Sequence, residues 1–97
     1  MGFIYKAENK IDHKVYIGKT LRTLAERQYE HHYSALREKR SYFHNAIAKY
    51  GKDNFVWSVI EENDDEQYLF KKEKEYIAKY QSNNPEFGYN ITNGGEG

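Results

Sequence analysis

The chain has 97 residues, which hold one domain with a single core, because a chain this short buries only about two-thirds of its unfolded surface. With no cysteine, disulfides, thiol catalysis and every cysteine-containing zinc site are excluded, and any metal is expected to be a hard cation held by oxygen. Fifteen basic residues balance fifteen acidic ones, and neither a membrane-length apolar run nor a secretory leader is seen, so the chain reads as an intracellular, cytoplasmic protein.

Two runs rich in β-branched and aromatic residues open the chain, "FIYKAE" and "KVYIGK", and the polar turn between them predicts a hairpin. If that turn holds an even number of residues, Ala7 pairs with Tyr16, and Tyr5 and Tyr16 become diagonal neighbours on one face. Their hydroxyls then share a site or are plain strand aromatics in a chain with ten tyrosines. From Thr20 to Arg40 the pattern turns helical. Thr23 and Glu26 match a capping box, and Leu24, Ala25, Gln28, His32, Ala35 and Leu36 fall within about a third of the wheel. Arg27 and His31, spaced i, i+4, sit on the edge of that stripe as snorkelling side chains or as a phosphate-binding ridge.

Ser41 is read as the N-cap of a second helix, "YFHNAIAKY", ending at Gly51. A third strand, "NFVWSVIEE", is expected to turn Phe55, Trp57 and Val59 into the core by strict alternation. Asp64, three residues before Gln67, is expected to open a third helix running to about Gln81, after which "SNNPEFG" breaks the pattern and "YNIT" forms a last extended piece. The fold class is therefore α+β: a small, largely antiparallel sheet, the N-terminal hairpin plus a third strand, flanked by helices in the order β-β-α-α-β-α-β. The domain is expected to span residues 1–92, with 93–97 ("NGGEG" from Asn93) as the start of a linker.

The third helix raises the question of chemistry. Leu69, Tyr76, Ile77 and Tyr80 form its apolar stripe, and Glu73 lies four residues from both Leu69 and Ile77, in the middle of that stripe. An inward carboxylate requires a cation, a metal or an opening in the packing. A structural salt bridge to a basic residue of the first half is one answer, for residues 1–52 carry 11 basic against 5 acidic side chains and residues 53–97 carry 4 against 10. Glu75 belongs instead to the solvated side with Lys71 and Lys72.

Taken together, "FIY" at 3–5, "YIG" at 16–18, an arginine on the following helix, a later helical glutamate, a Lys-Tyr-Gly closing the second helix and "GYN" near the end resemble the GIY-YIG nuclease domain. The likeness is to the catalytic domains of phage and intron homing endonucleases, which implies a phage or bacterial host. It implies Tyr5, Tyr16, Arg27, His31, Glu73 and Asn90 as catalytic residues and Gly18 as a structural motif residue. Phe3 departs from the motif's glycine at a position that supplies backbone. The implied activity is hydrolysis of a DNA phosphodiester, one strand at a time, with one divalent cation, Mg²⁺ or Mn²⁺, on Glu73. Arg27 and Lys19 would bind phosphate, and cationic neighbours would bring the phenol of Tyr5 into range as a base, with Tyr16, His31 and Asn90 orienting the parts. Target specificity is expected from a separate DNA-binding domain C-terminal to this chain, and double-strand cleavage from sequential nicks or transient self-association. A competing expectation is a non-catalytic module whose aromatic sheet face stacks nucleic-acid bases.

Overall fold

In the computed structural model, residues 2–36 and 41–90 are described. The elements follow the order β1 (Gly2–Asn9), β2 (Val15–Thr20), α1 (Leu24–Ser34), α2 (Tyr42–Tyr50), a 3₁₀ turn (Lys52–Asn54), β3 (Phe55–Asn63) and α3 (Glu66–Tyr80). The three strands form one antiparallel sheet in the order β2-β1-β3. On one face, Tyr5, Ala7, Tyr16, Phe55 and Trp57 pack with Ala35, Phe43, Ala46 and Ile47 of the α1 and α2 layer. On the other, Ile4 and Ile17 meet Leu69 and Ile77 of α3, with Ile60, Tyr76 and Tyr80 around them. Covering both faces gives a short chain two apolar clusters around one sheet.

Local signals account for the helix ends. Thr23 caps α1 in a full capping box, its hydroxyl accepting from the Glu26 amide at 3.2 Å while the Glu26 carboxylate accepts from the Thr23 amide at 3.4 Å. The side chain of Ser41 accepts from the His44 amide, and Gly51 ends α2 at φ +91°, where a residue with a Cβ is strained. Helix α3 begins one residue later than the Asp64 reading: Asp65 is the cap, its carboxylate accepting from the amides of Gln67 and Tyr68. It closes through Gln81 in the left-handed conformation, φ +54°.

Three expectations are corrected. Helix α1 ends at Ser34, and its inward face is set by Arg27, His31 and Ala35; Ala25 and Leu36 are exposed and His32 is only half-buried. A 3.6-residue wheel of apolar residues misjudged this face because its buried positions carry polar groups that bond inward. Residues 37–40 of the predicted helix lie outside the described residues. Strict alternation in β3 fails at a bulge: Tyr5 pairs with Val59 but Ile4 pairs with Glu61, so Ile60 is the extra residue. Past it, Glu61 is turned toward α3 and accepts from the Tyr76 hydroxyl at 2.6 Å, while Val59 is 42 % exposed on the edge strand instead of buried. Of the last strand, Gly88 makes a single parallel bridge to Val15, and Tyr89 and Asn90 are not in a strand; Ile91, Thr92 and the expected linker lie outside the described residues.

The chain end is nonetheless tied to the hairpin. The Tyr89 hydroxyl accepts from the Asn9 side-chain amide at 2.9 Å and donates to the Asp12 carboxylate at 2.6 Å, which holds the hairpin turn against the terminal segment. Among the described residues no helix is long and apolar enough to cross a membrane. The two faces differ in what a truncation costs: Leu69→Ala in the fully buried α3 cluster is expected to lower stability by about 2–5 kcal/mol, and Val59→Ala by no more than about 0.5 kcal/mol, both read from urea unfolding.

Candidate active site

The β1–β2 register places Tyr5 opposite Gly18 and Ala7 opposite Tyr16, so both tyrosines project to the α1 side and their rings lie 6.2 Å apart. Gly18 lets this happen. A Cβ built on it would stand 2.3 Å from both Cζ and the hydroxyl oxygen of Tyr5, so the Tyr5 ring lies directly across the β2 backbone. Asn90 braces the same strand: its side-chain oxygen accepts from the Ile17 amide at 2.9 Å and its amide donates to the Ile17 carbonyl at 2.8 Å. Both bonds grip the residue between Tyr16 and Gly18. Asn90 thus acts on the backbone that carries the site.

Helix α1 brings the next two groups, one turn apart on its inward face. Arg27 Nε donates to the Tyr5 hydroxyl at 3.3 Å, and His31 Nε2 lies 2.7 Å from the same oxygen. The Tyr16 hydroxyl also acts on Tyr5 in the sense that lowers its pKa, the smallest of the effects there. A phenol oxygen accepts at most two hydrogen bonds and donates one. Arg27 takes one acceptor position on the Tyr5 oxygen, and the 2.7 Å contact with His31 is donated by Tyr5 or by Nε2 according to the His31 tautomer. Tyr16 is further held by stacking on Phe43, centroids 4.1 Å apart and planes at 3°.

Burial dominates the electrostatics. Tyr5 is fully buried and its phenol is pushed up to about 12; desolvation is the main cause, and the Arg27 charge opposes it without prevailing. The expectation that cations bring Tyr5 into range as a resting base is thus corrected: at neutral pH it is a phenol. His31, 3 % exposed, is pushed down to about 2 by burial and then by the Arg27 charge, so it is a neutral acceptor. Glu73 comes from α3, 1 % exposed between Leu69 and Ile77 as the wheel requires, and its charge is felt at Tyr5. Glu75 is exposed and pairs with Lys72.

Lys19 stands apart. Its strand position puts it opposite Ile4 on the α3 face, beside Glu66 at 4.0 Å and over the Phe70 ring, away from the tyrosines. It rejoins Arg27 only as a wall of a 320 Å³ cleft also lined by Arg22, Glu30 and Glu66. Arg27 is the residue common to this cleft and the tyrosine cluster. His44 and Trp57 complete the surroundings of His31; the sequence singled out Trp57 only as a core residue of the third strand, and His44 not at all. The available signal for His44 was its i, i+3 spacing to the inward Ile47 on α2, a weak one.

A family model for the GIY-YIG catalytic domain matches residues 1–90. The chain belongs to the GIY-YIG family. The domain superposes on a point mutant of the catalytic domain of the intron endonuclease I-TevI with a TM-score of 0.82 and 25 % identity, covering 100 % of each chain. A second structure of that catalytic domain gives 0.78 at 23 % identity, over 95 % of this chain and 99 % of the other. Putative endonuclease segB of Enterobacteria phage T4 is 30 % identical over 98 % of this chain and 39 % of its own length. Uncharacterized protein 019R of Invertebrate iridescent virus 6 is 38 % identical over 93 % of this chain and 33 % of its own. The chain therefore spans well under half the length of the curated relatives it matches. This GIY-YIG catalytic domain is homologous to the catalytic domain of the intron endonuclease I-TevI and to putative endonuclease segB.

Two outcomes test the geometry. Gly18→Ala is expected to displace the Tyr5 ring and lower stability by about 1–3 kcal/mol, seen in thermal melts and in the near-ultraviolet tyrosine signal. His31 has a folded pKa below its unfolded value, so its contribution is present above about pH 6.5 and is lost as pH falls toward 2. This one group makes stability fall by at most about 1.4 kcal/mol per pH unit over that window. Urea unfolding at pH 7 and pH 4.5 checks this: His31→Gln should lose less stability on acidification than the parent chain.

Proposed function

We propose that this domain hydrolyses DNA phosphodiesters, one strand at a time, with a divalent cation at Glu73. The observation that carries the reading is the Tyr5 hydroxyl, a buried group held at 3.3 Å by Arg27 and 2.7 Å by His31, within the field of Glu73. No cluster of three or more His, Cys, Asp or Glu side chains able to hold a metal is found among the described residues. A single hard carboxylate fits Mg²⁺ or Mn²⁺, which keep most of their waters and take remaining ligands from substrate phosphate. Glu73 would hold that cation, which when bound stabilises charge on the leaving 3′ oxygen.

The chain's own residues divide the remaining work. Arg27, 24 % exposed and walling the cleft, binds a non-bridging phosphate oxygen and offsets the charge that builds there. Tyr5 takes a proton from the attacking water, and it does so as its own proton passes to His31 Nε2, since a phenol with its pKa near 12 holds no useful phenolate at neutral pH. Tyr16, its ring 6.2 Å from that of Tyr5, orients the water or the phosphate. Asn90 fixes β2 so that these hydroxyls stay in register.

The competing base-stacking module is disfavoured by burial: Tyr5 and Tyr16 are at most 7 % exposed, and the layer of α1 and α2 covers their sheet face. A chain of zero net charge releases few counterions on binding, so target selection is assigned to a region beyond this domain, consistent with the greater length of the relatives.

Supercoiled plasmid incubated with Mg²⁺ should be converted to the nicked circle, and chelator should abolish the conversion. Tyr5→Phe should retain the fold and cut about 10² to 10⁴ times more slowly. Glu73→Gln should abolish nicking, whereas Glu75→Gln on the solvated face should leave it intact and change stability by less than about 0.5 kcal/mol. Normal nicking by Glu73→Gln would remove the metal assignment.

A further inference from the structure

One hydrogen bond in the site has no place in the roles assigned to Tyr5, Tyr16, Arg27 and Asn90. His31 Nδ1 lies 2.8 Å from His44 Nε2, the two rings 5.0 Å apart, and His44 sits half-buried near the start of α2. The direction of this bond is set by the far side of the His31 ring. When Tyr5 donates to Nε2, as its reading as the base requires, a neutral His31 carries its proton on Nδ1 and donates it to His44, whose Nε2 is then bare and whose own proton is on Nδ1. Tyr5, His31 and His44 thus form a single file of donors, all pointing the same way, from the centre of the site to its rim.

We propose that His44 is a positioning residue of the nuclease reaction, fixing the tautomer of His31 and receiving the proton that Tyr5 gives up. The inference rests on the reading of Tyr5 as the group that deprotonates the attacking water. The balance of the step is complete within the chain and solvent. One proton leaves the water for the Tyr5 oxygen, the Tyr5 proton moves to His31 Nε2, the Nδ1 proton of His31 moves to His44 Nε2, and His44 releases its Nδ1 proton to solvent. His31 ends neutral, in the other tautomer.

The reason a second histidine is needed is the burial of the first. A positive charge on His31 would stand 3 % exposed with the Arg27 guanidinium nearby, and both disfavour it. Passing the proton on as it arrives avoids that charge. The groups that act on His44 are Arg27 and His31 on α1; burial first and then Arg27 hold His44 below the usual histidine range, so it is neutral and able to accept at neutral pH. From α2 it meets the uncharged Phe43 ring. Imidazole nitrogen to imidazole nitrogen is also a bond that a packing residue would not require.

The test uses the full chain in two measurements. Nitrogen-15 NMR of labelled histidines in the free protein should show His31 and His44 both protonated at Nδ1 at pH 7.5; an Nε2-protonated His31 would overturn the relay. In plasmid nicking with Mg²⁺ under single-turnover conditions, His44→Gln, which still accepts from His31 but cannot carry a proton, should cut about 10²-fold more slowly at saturating plasmid with KM unchanged. His44→Ala should be rescued by added imidazole, with the rate rising as the pKa of substituted imidazoles rises. Wild-type rates for His44→Gln, or no rescue of a folded His44→Ala, would overturn the inference while leaving the nuclease reading in place. A parent chain that nicks no DNA with Mg²⁺ or Mn²⁺ overturns that reading and the inference with it.

Discussion

The cross-strand pair of Tyr5 and Gly18 is the constraint on which the site depends. Only a residue without a Cβ leaves room for the Tyr5 ring to lie across β2, with its hydroxyl brought to the side where α1 supplies Arg27 and His31. A buried hydroxyl is tolerated because its hydrogen bonds are made, and each partner is in turn fixed: Tyr16 by its stack on Phe43, Arg27 by Glu30, His31 by His44. Asn90 closes the arrangement from the chain end by gripping the backbone beside Gly18. The second half of the "YIG" tripeptide is therefore a spatial requirement of its partner tyrosine.

Charge separation along the chain has a structural counterpart. The basic first half contributes Arg27, Arg22 and Lys19 to one cleft, while the acidic second half contributes the buried Glu73 and the exposed Glu66. The fold thus brings Lys19, Arg22 and Arg27 of the first half and Glu66 of the second to one cleft. Net neutrality conceals this, because the sum of charges carries no information about where they meet.

The two faces of the sheet are packed differently. The α3 face of the sheet is built on Ile4, Ile17, Leu69 and Ile77, with the inward Glu73 in its midst. The α1 and α2 face mixes aromatic rings with titratable groups, and burial there shifts Tyr5 up and His31 down, away from one another. Both shifts favour the neutral form of each group. The bulge at Ile60 serves the other layer, turning Glu61 to Tyr76 and relieving the edge strand of strict alternation.

By itself the sequence determined what depends on local pattern and spacing: the hairpin and its register, the caps at Thr23 and Ser41, the inward position of Glu73 and the ordered set of family residues. The hairpin, the caps and the place of Glu73 rest on a period of two or 3.6 or on a side chain bonding within its own turn, and the family set rests on the resemblance of its motifs. Only the tertiary structure decided the rest. The inward face of α1, the exposure of Val59, the remoteness of Lys19 from the tyrosines and the His31–His44 bond all depend on which groups of distant segments meet. Above all, it decided the direction of the Tyr5 shift: the water removed by α1, α2 and the sheet together raises its pKa more than the one cation beside it lowers it, and desolvation is a property of the assembled fold.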